Sequence, residues 1–298
     1  MPTAPAEEVR DAARAIARVI EPIAGQVYFS PECHDRYATL GFSPSPGRTT
    51  AGVALPDGAA YFTSRGSALG QVPGEVVAAA FGVFNPEVVV PAVTHGWSLT
   101  DAPTIAAARL EGAVAQLERV LGPEPEGVGR ANELLTRSLA VAQPAGRALF
   151  AGTLAQPLPG TPLGDLFRLT DRLRELRGDS HLAAWVAAGF DAPEIGLLTE
   201  PWWGLPSRTY VRTRAWSTER LDAAEARLEA AGLWSEGTLT PAGRSEREAI
   251  ELATDAQMAP VVHALGAEVA ELVETLTPLA RAALEAGAYP DSPLSISR

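Results

Sequence analysis

The sequence holds four histidines, His34, His95, His181 and His263, and one cysteine, Cys33. None of them stands at a Cys-x-x-Cys or His-x-x-x-His spacing, so no zinc signature is present, and a disulfide within the chain is excluded. The stretch Arg177-Gly178-Asp179-Ser180-His181 carries more chemistry. Gly178 can end one helix in left-handed backbone, and Asp179 or Ser180 can cap the next. His181 then lies in a first helical turn, whose positive end disfavours the imidazolium; the neutral ring can serve as a base or a ligand. A tight bend between two helices explains three of these five residues without any function, and leaves Arg177 and His181 over. The N-terminal half adds Tyr28, Glu32, Arg65, Phe84, Asn85, His95 and Trp97 beside apolar runs, and each alone reads as a buried, hydrogen-bonded or core residue. Trp202-Trp203, in a proline-flanked loop, can wall a pocket or plug the core under the loop. Cys33, next to Glu32 near a helix start, is either a thiol of lowered pKa or an inert buried residue.

Composition narrows the classes. All 24 basic residues are arginine, against 36 acidic ones, a net charge of −12. Nucleic-acid binders gather positive charge because phosphate neutralisation supplies much of their affinity, and this balance gives that expectation no support. The N-terminal stretch has acidic residues ahead of its apolar ones and no long apolar run, so neither secretion nor a membrane span is expected, and the reading is cytoplasmic. An adhesion role for Arg177-Gly178-Asp179 fails on that compartment. Gly-rich phosphate loops, Gly-x-Ser-x-Gly elbows and His-Glu-x-x-His motifs are missing from the sequence, and no cofactor is indicated.

The elements that would hold these residues follow from periodicity and punctuation. A helix is expected from Ala6 to Glu21, stopped by Pro22 and Gly25. Ser30-Pro31-Glu32 opens a short helix. Asp57-Gly58 between apolar stretches reads as a β-hairpin. Two short helices meet at Asn85-Pro86, the second broken before Ser98, and Asp101 caps a long one running through Leu121. The Gly122 to Gly129 segment reads as a linker between two halves, residues 1–122 and 130–298. The second half is expected to run as helices over Asn132 to Gln143, Ala145 to Ala155 and Asp165 to Leu176, then the bend, the Trp-rich loop and a long helical C-terminal region.

Ser217-Thr218 can cap a helix through Leu221, Ala224 and Leu228, Gly232 ends it, Ser235-Glu236-Gly237 turns a two-stranded ribbon, and Thr240-Pro241 caps the next helix. Helix, small hairpin, helix is a winged helix-turn-helix pattern. The piece LEAAGLWSEGTLTPAGRSEREAI resembles the recognition helix, wing and following helix of bacterial multiple-antibiotic-resistance-type regulators. Across Trp216 to Asp255, however, four arginines stand against nine carboxylates, and Glu236 sits at the wing tip, so this face would repel phosphate. Arg208, Arg212 and Arg214 just upstream can supply a local basic strip.

Further motifs, Tyr28-Phe29-Ser30-Pro31-Glu32, Tyr61 to Arg65, FGVFNP (Phe81 to Pro86), Trp97, Arg177 to His181, Arg214 to Ser217 and Thr254-Asp255, together resemble a poorly characterised actinobacterial family of helix-turn-helix type, over roughly Ile20 to Pro260. This chain has Asn85 where that family more often has His, which weakens a metal or acid–base role there. The joint appearance of these motifs suggests that their polar residues converge on one cavity; with His95 and the Trp202-Trp203 loop added on residue type, the expected catalytic groups are His181, His95 and Glu32, and Tyr28, Arg65, Phe84, Asn85, Trp97, Arg177, Trp202 and Trp203 stand against a ligand. The expectation is a mainly α fold of two helical halves with winged-helix-like modules and small hairpin wings. Its expected function is to bind, sense or transform a small hydrophobic or aromatic molecule of secondary metabolism between the halves, with or without a homodimer. The other reading is a ligand-responsive regulator that dimerises and reads DNA through Leu221 to Ala231.

Overall fold

The computed structural model describes residues 5–49 and 52–290. The protein is mainly α-helical. Helix α1 spans Glu7–Gly25 and runs through Pro22 instead of stopping there. The missing N–H costs one hydrogen bond, while Ile16, Val19, Ile20 and Ile23 bury one continuous face against the core. Each fully buried side chain of this size contributes about 1.5–3 kcal/mol. Helix α2, Pro31–Thr39, opens as its Ser30 cap predicts, with the Cys33 N–H donating to Ser30 Oγ.

The hairpin expected at Asp57-Gly58 is not formed. Asp57 is an N-cap in extended backbone, its Oδ2 accepting the Ala60 N–H at 2.9 Å, and Gly58–Gly66 is helix α3. A type I′ turn would need positive φ at its two central residues, and among the described residues nearby only a single bridge, Arg48 to Ala54, has strand character. Helix α4, Gly74–Phe81, ends at Gly82 with φ of 66°. Asn85 caps α5, Pro86–Leu99, which continues past Ser98, and Asp101 caps α6, Ala102–Leu121.

The segment after Gly122 is a turn into α7, Val128–Leu139, and α8 follows at Ala148–Ala155. Both sides of this turn feed one core: Ile105, Ala113 and Leu117 of α6 pack in the same cluster as Ala131, Leu134 and Leu135 of α7. Helix α9, Pro162–Ala187, is the longest element at 26 residues, and it corrects the bend expected at Arg177 to His181. Gly178 is ordinary helix, Ser180 Oγ donates to the Leu176 carbonyl one turn back, and Asp179 caps a different helix by accepting the Phe150 N–H of α8 at 2.9 Å. Burial of Leu166, Phe167, Leu169, Leu173 and Leu176 outweighs the modest propensity cost of one glycine.

Helix α10, Ala192–Trp202, takes in the start of the expected Trp-rich loop, Thr199 to Trp202, and carries a complete capping box between Asp191 and Glu194. Helix α11 (Thr218–Ala230), strands β1 (Trp234–Ser235) and β2 (Thr238–Leu239) and helix α12 (Pro241–Gln257) form the expected helix, hairpin, helix arrangement. The strands pair antiparallel, Trp234 with Leu239 and Ser235 with Thr238. Leu197, Leu198, Leu221, Leu228, Trp234 and Leu239 form the small core of this module. Helices α13, Ala259–Leu265, and α14, Val269–Glu285, return to the main core, where α14 lies along α1.

Candidate functional site

Helices α1, α9 and α12 enclose a groove of about 240 Å³, lined by Ala17, Ile20 and Glu21 of α1, Arg174, Arg177, Gly178 and His181 of α9, and Arg247, Glu251 and Thr254 of α12. Arg65 and Trp203 complete its wall. The continuous α9 explains why these residues meet: Arg174, Arg177, Gly178 and His181 are spaced three and four apart and share one face. On α12, Arg247, Glu251 and Thr254 repeat that spacing.

His181 Nδ1 lies 3.1 Å from Thr254 Oγ1. Burial pushes the imidazole down to about 4, with the positive charges of Arg247 and Arg177 acting in the same sense and Glu251 opposing them. The ring is therefore neutral at physiological pH, as the sequence suggests, but burial and arginine charge are the cause, since His181 is far from either end of α9. Arg177 donates to Glu251 and, at 2.9 Å, to Asp255. Arg247 donates to Glu251 at 2.9 Å and to Thr199 Oγ1 at 3.1 Å, and its guanidinium lies 4.4 Å from the Trp202 ring centroid. Burial works to raise Glu251, and Arg247 and Arg177 together hold it below the ordinary carboxylate range. Trp203, 45% exposed, packs edge-on against Tyr210 and offers the groove an apolar wall.

Arg65 binds Glu175 in a bidentate pair at 2.9 and 2.7 Å, and its guanidinium sits 4.4 Å from the Phe81 ring. Tyr28 stands behind this pair, its hydroxyl 3.3 Å from Arg174 and 3.4 Å from Glu175 and Arg109, and burial raises its pKa. Arg65, Arg177, His181 and Trp203 thus meet at the groove, with Trp202 under Arg247 and Tyr28 in the polar layer beneath.

The other expected residues lie elsewhere, and all but His95 have structural work. Glu32 pairs with Arg119 of α6, which together with the Ser30 hydroxyl outweighs burial and holds its carboxyl low. His95 is exposed on α5 and does not line the groove. Trp97 Nε1 donates to the Val72 carbonyl at 2.7 Å. Asn85 caps α5 while its Nδ2 donates to the Ala215 carbonyl at 3.0 Å, and its backbone N–H donates to the Arg214 carbonyl at 2.9 Å. Phe84 joins Tyr61, Phe62 and Phe81 in an aromatic cluster, with the Arg214 guanidinium 4.6 Å from its ring centroid. Cys33 is fully buried and its thiol is pushed up to about 11, which makes it inert.

Arg174, Arg247 and Glu251 were missed as site residues. Their helical spacing is present in the sequence, but a bend at Gly178 would divide the α9 residues between two helices, and the winged-helix pattern puts the α12 residues on a DNA-facing surface. That surface also needs correcting. Glu248, Glu251 and Asp255 turn inward to Arg14 and Arg177, Asp222 and Glu225 pair with Arg208, and Arg227 pairs with Asp191 and Glu194. Arg212, Arg220 and Arg244 are exposed and form no ion pair among the described residues, and Glu219, Glu229 and Glu236 of the same segment are exposed as well.

The architecture is that of a mainly helical protein carrying a helix, hairpin, helix module on a larger helical body. Residues 13–290 match the profile of the helix-turn-helix family, and the chain belongs to that family. No curated protein and no solved structure matches it. Among the described residues no helix is long and apolar enough to cross a membrane.

Proposed function

We propose that the protein binds a small molecule with an aromatic or apolar body and an acidic group in the groove between α1, α9 and α12, and that its winged-helix-like module is scaffold for this site. The observation that carries the reading is the meeting of neutral His181 with the arginines Arg174, Arg177 and Arg247 and with half-exposed Trp203 around about 240 Å³ of space. Guanidinium groups recognise carboxylates through paired N–H donors, and an apolar wall with a few placed polar groups is the usual make-up of a ligand site. Ile20, Ala17 and Trp203 accept the apolar body, and Arg174 and Arg247 the acid, through the N–H groups that their pairs with Glu21 and Glu251 leave over.

Titration of tryptophan fluorescence with 2-naphthoate and with its uncharged counterpart 2-naphthamide tests this. Naphthoate is expected to bind saturably and the amide at least about tenfold more weakly, a difference of about 1.4 kcal/mol. His181→Gln and Trp203→Ala each weaken naphthoate by a similar factor. Equal affinity for the two probes, or full naphthoate binding by both variants, defeats the assignment.

A second reading, DNA recognition by α11, rests on the family match and on the unpaired Arg212, Arg220 and Arg244. The carboxylates interleaved with them and the paired state of Arg208 and Arg227 place it behind the first.

A further inference from the structure

A second, smaller cavity lies between α3, α6, α8 and α9, behind the Arg65–Glu175 pair and distinct from the groove. Its free volume is about 10 Å³, room for one particle of about the size of water. Three guanidinium groups line it, Arg65, Arg109 and Arg168, against two carboxylates, Asp171 and Glu175. Both carboxylates are taken. Glu175 holds Arg65, and Asp171 holds Arg109 through contacts of 2.9 and 3.0 Å.

Arg168 has no such partner. It is 5% exposed and its Nη1 donates to the neutral carboxamide of Gln156. No protein acceptor among the described residues reaches Arg168 Nε, nor Arg109 Nε. Burial lowers Arg168 to about 10, which leaves it charged at neutral pH. The carbonyls at the end of α8, which carry partial negative charge, accept from the neighbouring Arg172 instead. A buried cation without a counter-charge is strongly disfavoured, and here it borders a polar hollow with one positive charge in excess.

We propose that this cavity binds a single small monovalent anion such as chloride, held by Arg168 and Arg109, whose flexible arms part slightly beyond the water-sized gap to seat it. The anion neutralises the excess charge and cross-links α6 and α9, so it acts as a structural ligand.

Crystals of the native chain soaked in bromide, which reports its position by anomalous scattering, are expected to give a peak within hydrogen-bonding distance of Arg168. In solution, melting in chloride compared with gluconate at equal ionic strength is expected to rise saturably by about 3–5 °C. Arg168→Gln removes that dependence. The bromide experiment requires no variant, so it decides the matter if Arg168→Gln fails to fold. Density at the site without anomalous signal, or equal melting in both salts, overturns the proposal.

Discussion

His181 and Asp179 stand two positions apart on α9 and are shifted in opposite senses. Burial, aided by Arg247, lowers His181 from 6.5 to about 4, and burial raises Asp179 from 3.8 to about 6. Between pH 6.5 and about 4 the unfolded chain binds a proton at position 181 that the folded chain does not, so His181 removes stability as the pH falls. Between about 6 and 3.8 the folded chain keeps a proton on Asp179 that the unfolded chain has lost, so Asp179 adds stability as the pH falls. The two effects oppose each other in one window. Asp179→Asn, which retains an acceptor for the Phe150 N–H, is therefore expected to unmask His181: its urea midpoint drops more steeply than that of the native protein from pH 6.5 to 4. His181→Gln is expected to flatten or reverse that slope. Parallel profiles for all three proteins would contradict both shifts. The titratable character of these two residues is legible in the sequence, but their environment is not, because burial against α12 and α8 is set by partners distant in sequence.

At the scale of elements, local punctuation was legible wherever a side chain satisfied its own helix. Ser30, Asp101, Ser217 and Thr240 open the helices that their positions predict, and the ribbon at Trp234 to Leu239 follows from its turn. It failed where the same residue types serve something else. Asp57-Gly58 starts a helix rather than turning a hairpin, and Asp179 caps α8 from across the interface. Gly178 is the sharpest case. A left-handed cap there would make alanine destabilising, whereas in the continuous α9 an added Cβ meets only Glu175 Oε2, at 3.8 Å. Gly178→Ala is thus expected to stabilise the protein by up to about 1 kcal/mol in urea unfolding. A loss of that size would mean that α9 is broken at this point after all.

For the whole molecule, the fold class was readable from helical periodicity and scarce strand signals. The pairing of charge was not. A surplus of carboxylates in the α11 to α12 sequence suggested an acidic outer face, yet much of it is consumed by Arg14, Arg177 and Arg208, and what remains outside is a mixed, weakly acidic surface. With a net charge of −12 and few unpaired arginines on α11, fluorescence polarisation of a random DNA duplex at low salt is expected to show no saturable binding up to about 10 μM protein. Micromolar binding that weakens steeply with salt would restore the regulator reading.

The contacts between Asn85 and residues 214 and 215, with Trp216 Nε1 donating to the Val83 carbonyl at 3.0 Å, fasten the approach to α11 onto the aromatic cluster of Phe62, Phe81 and Phe84. The joint is thus held at both the backbone and the side chain, so α11 has no free hinge on this side and is expected to keep its bearing on the helical body, with no lever arm to throw.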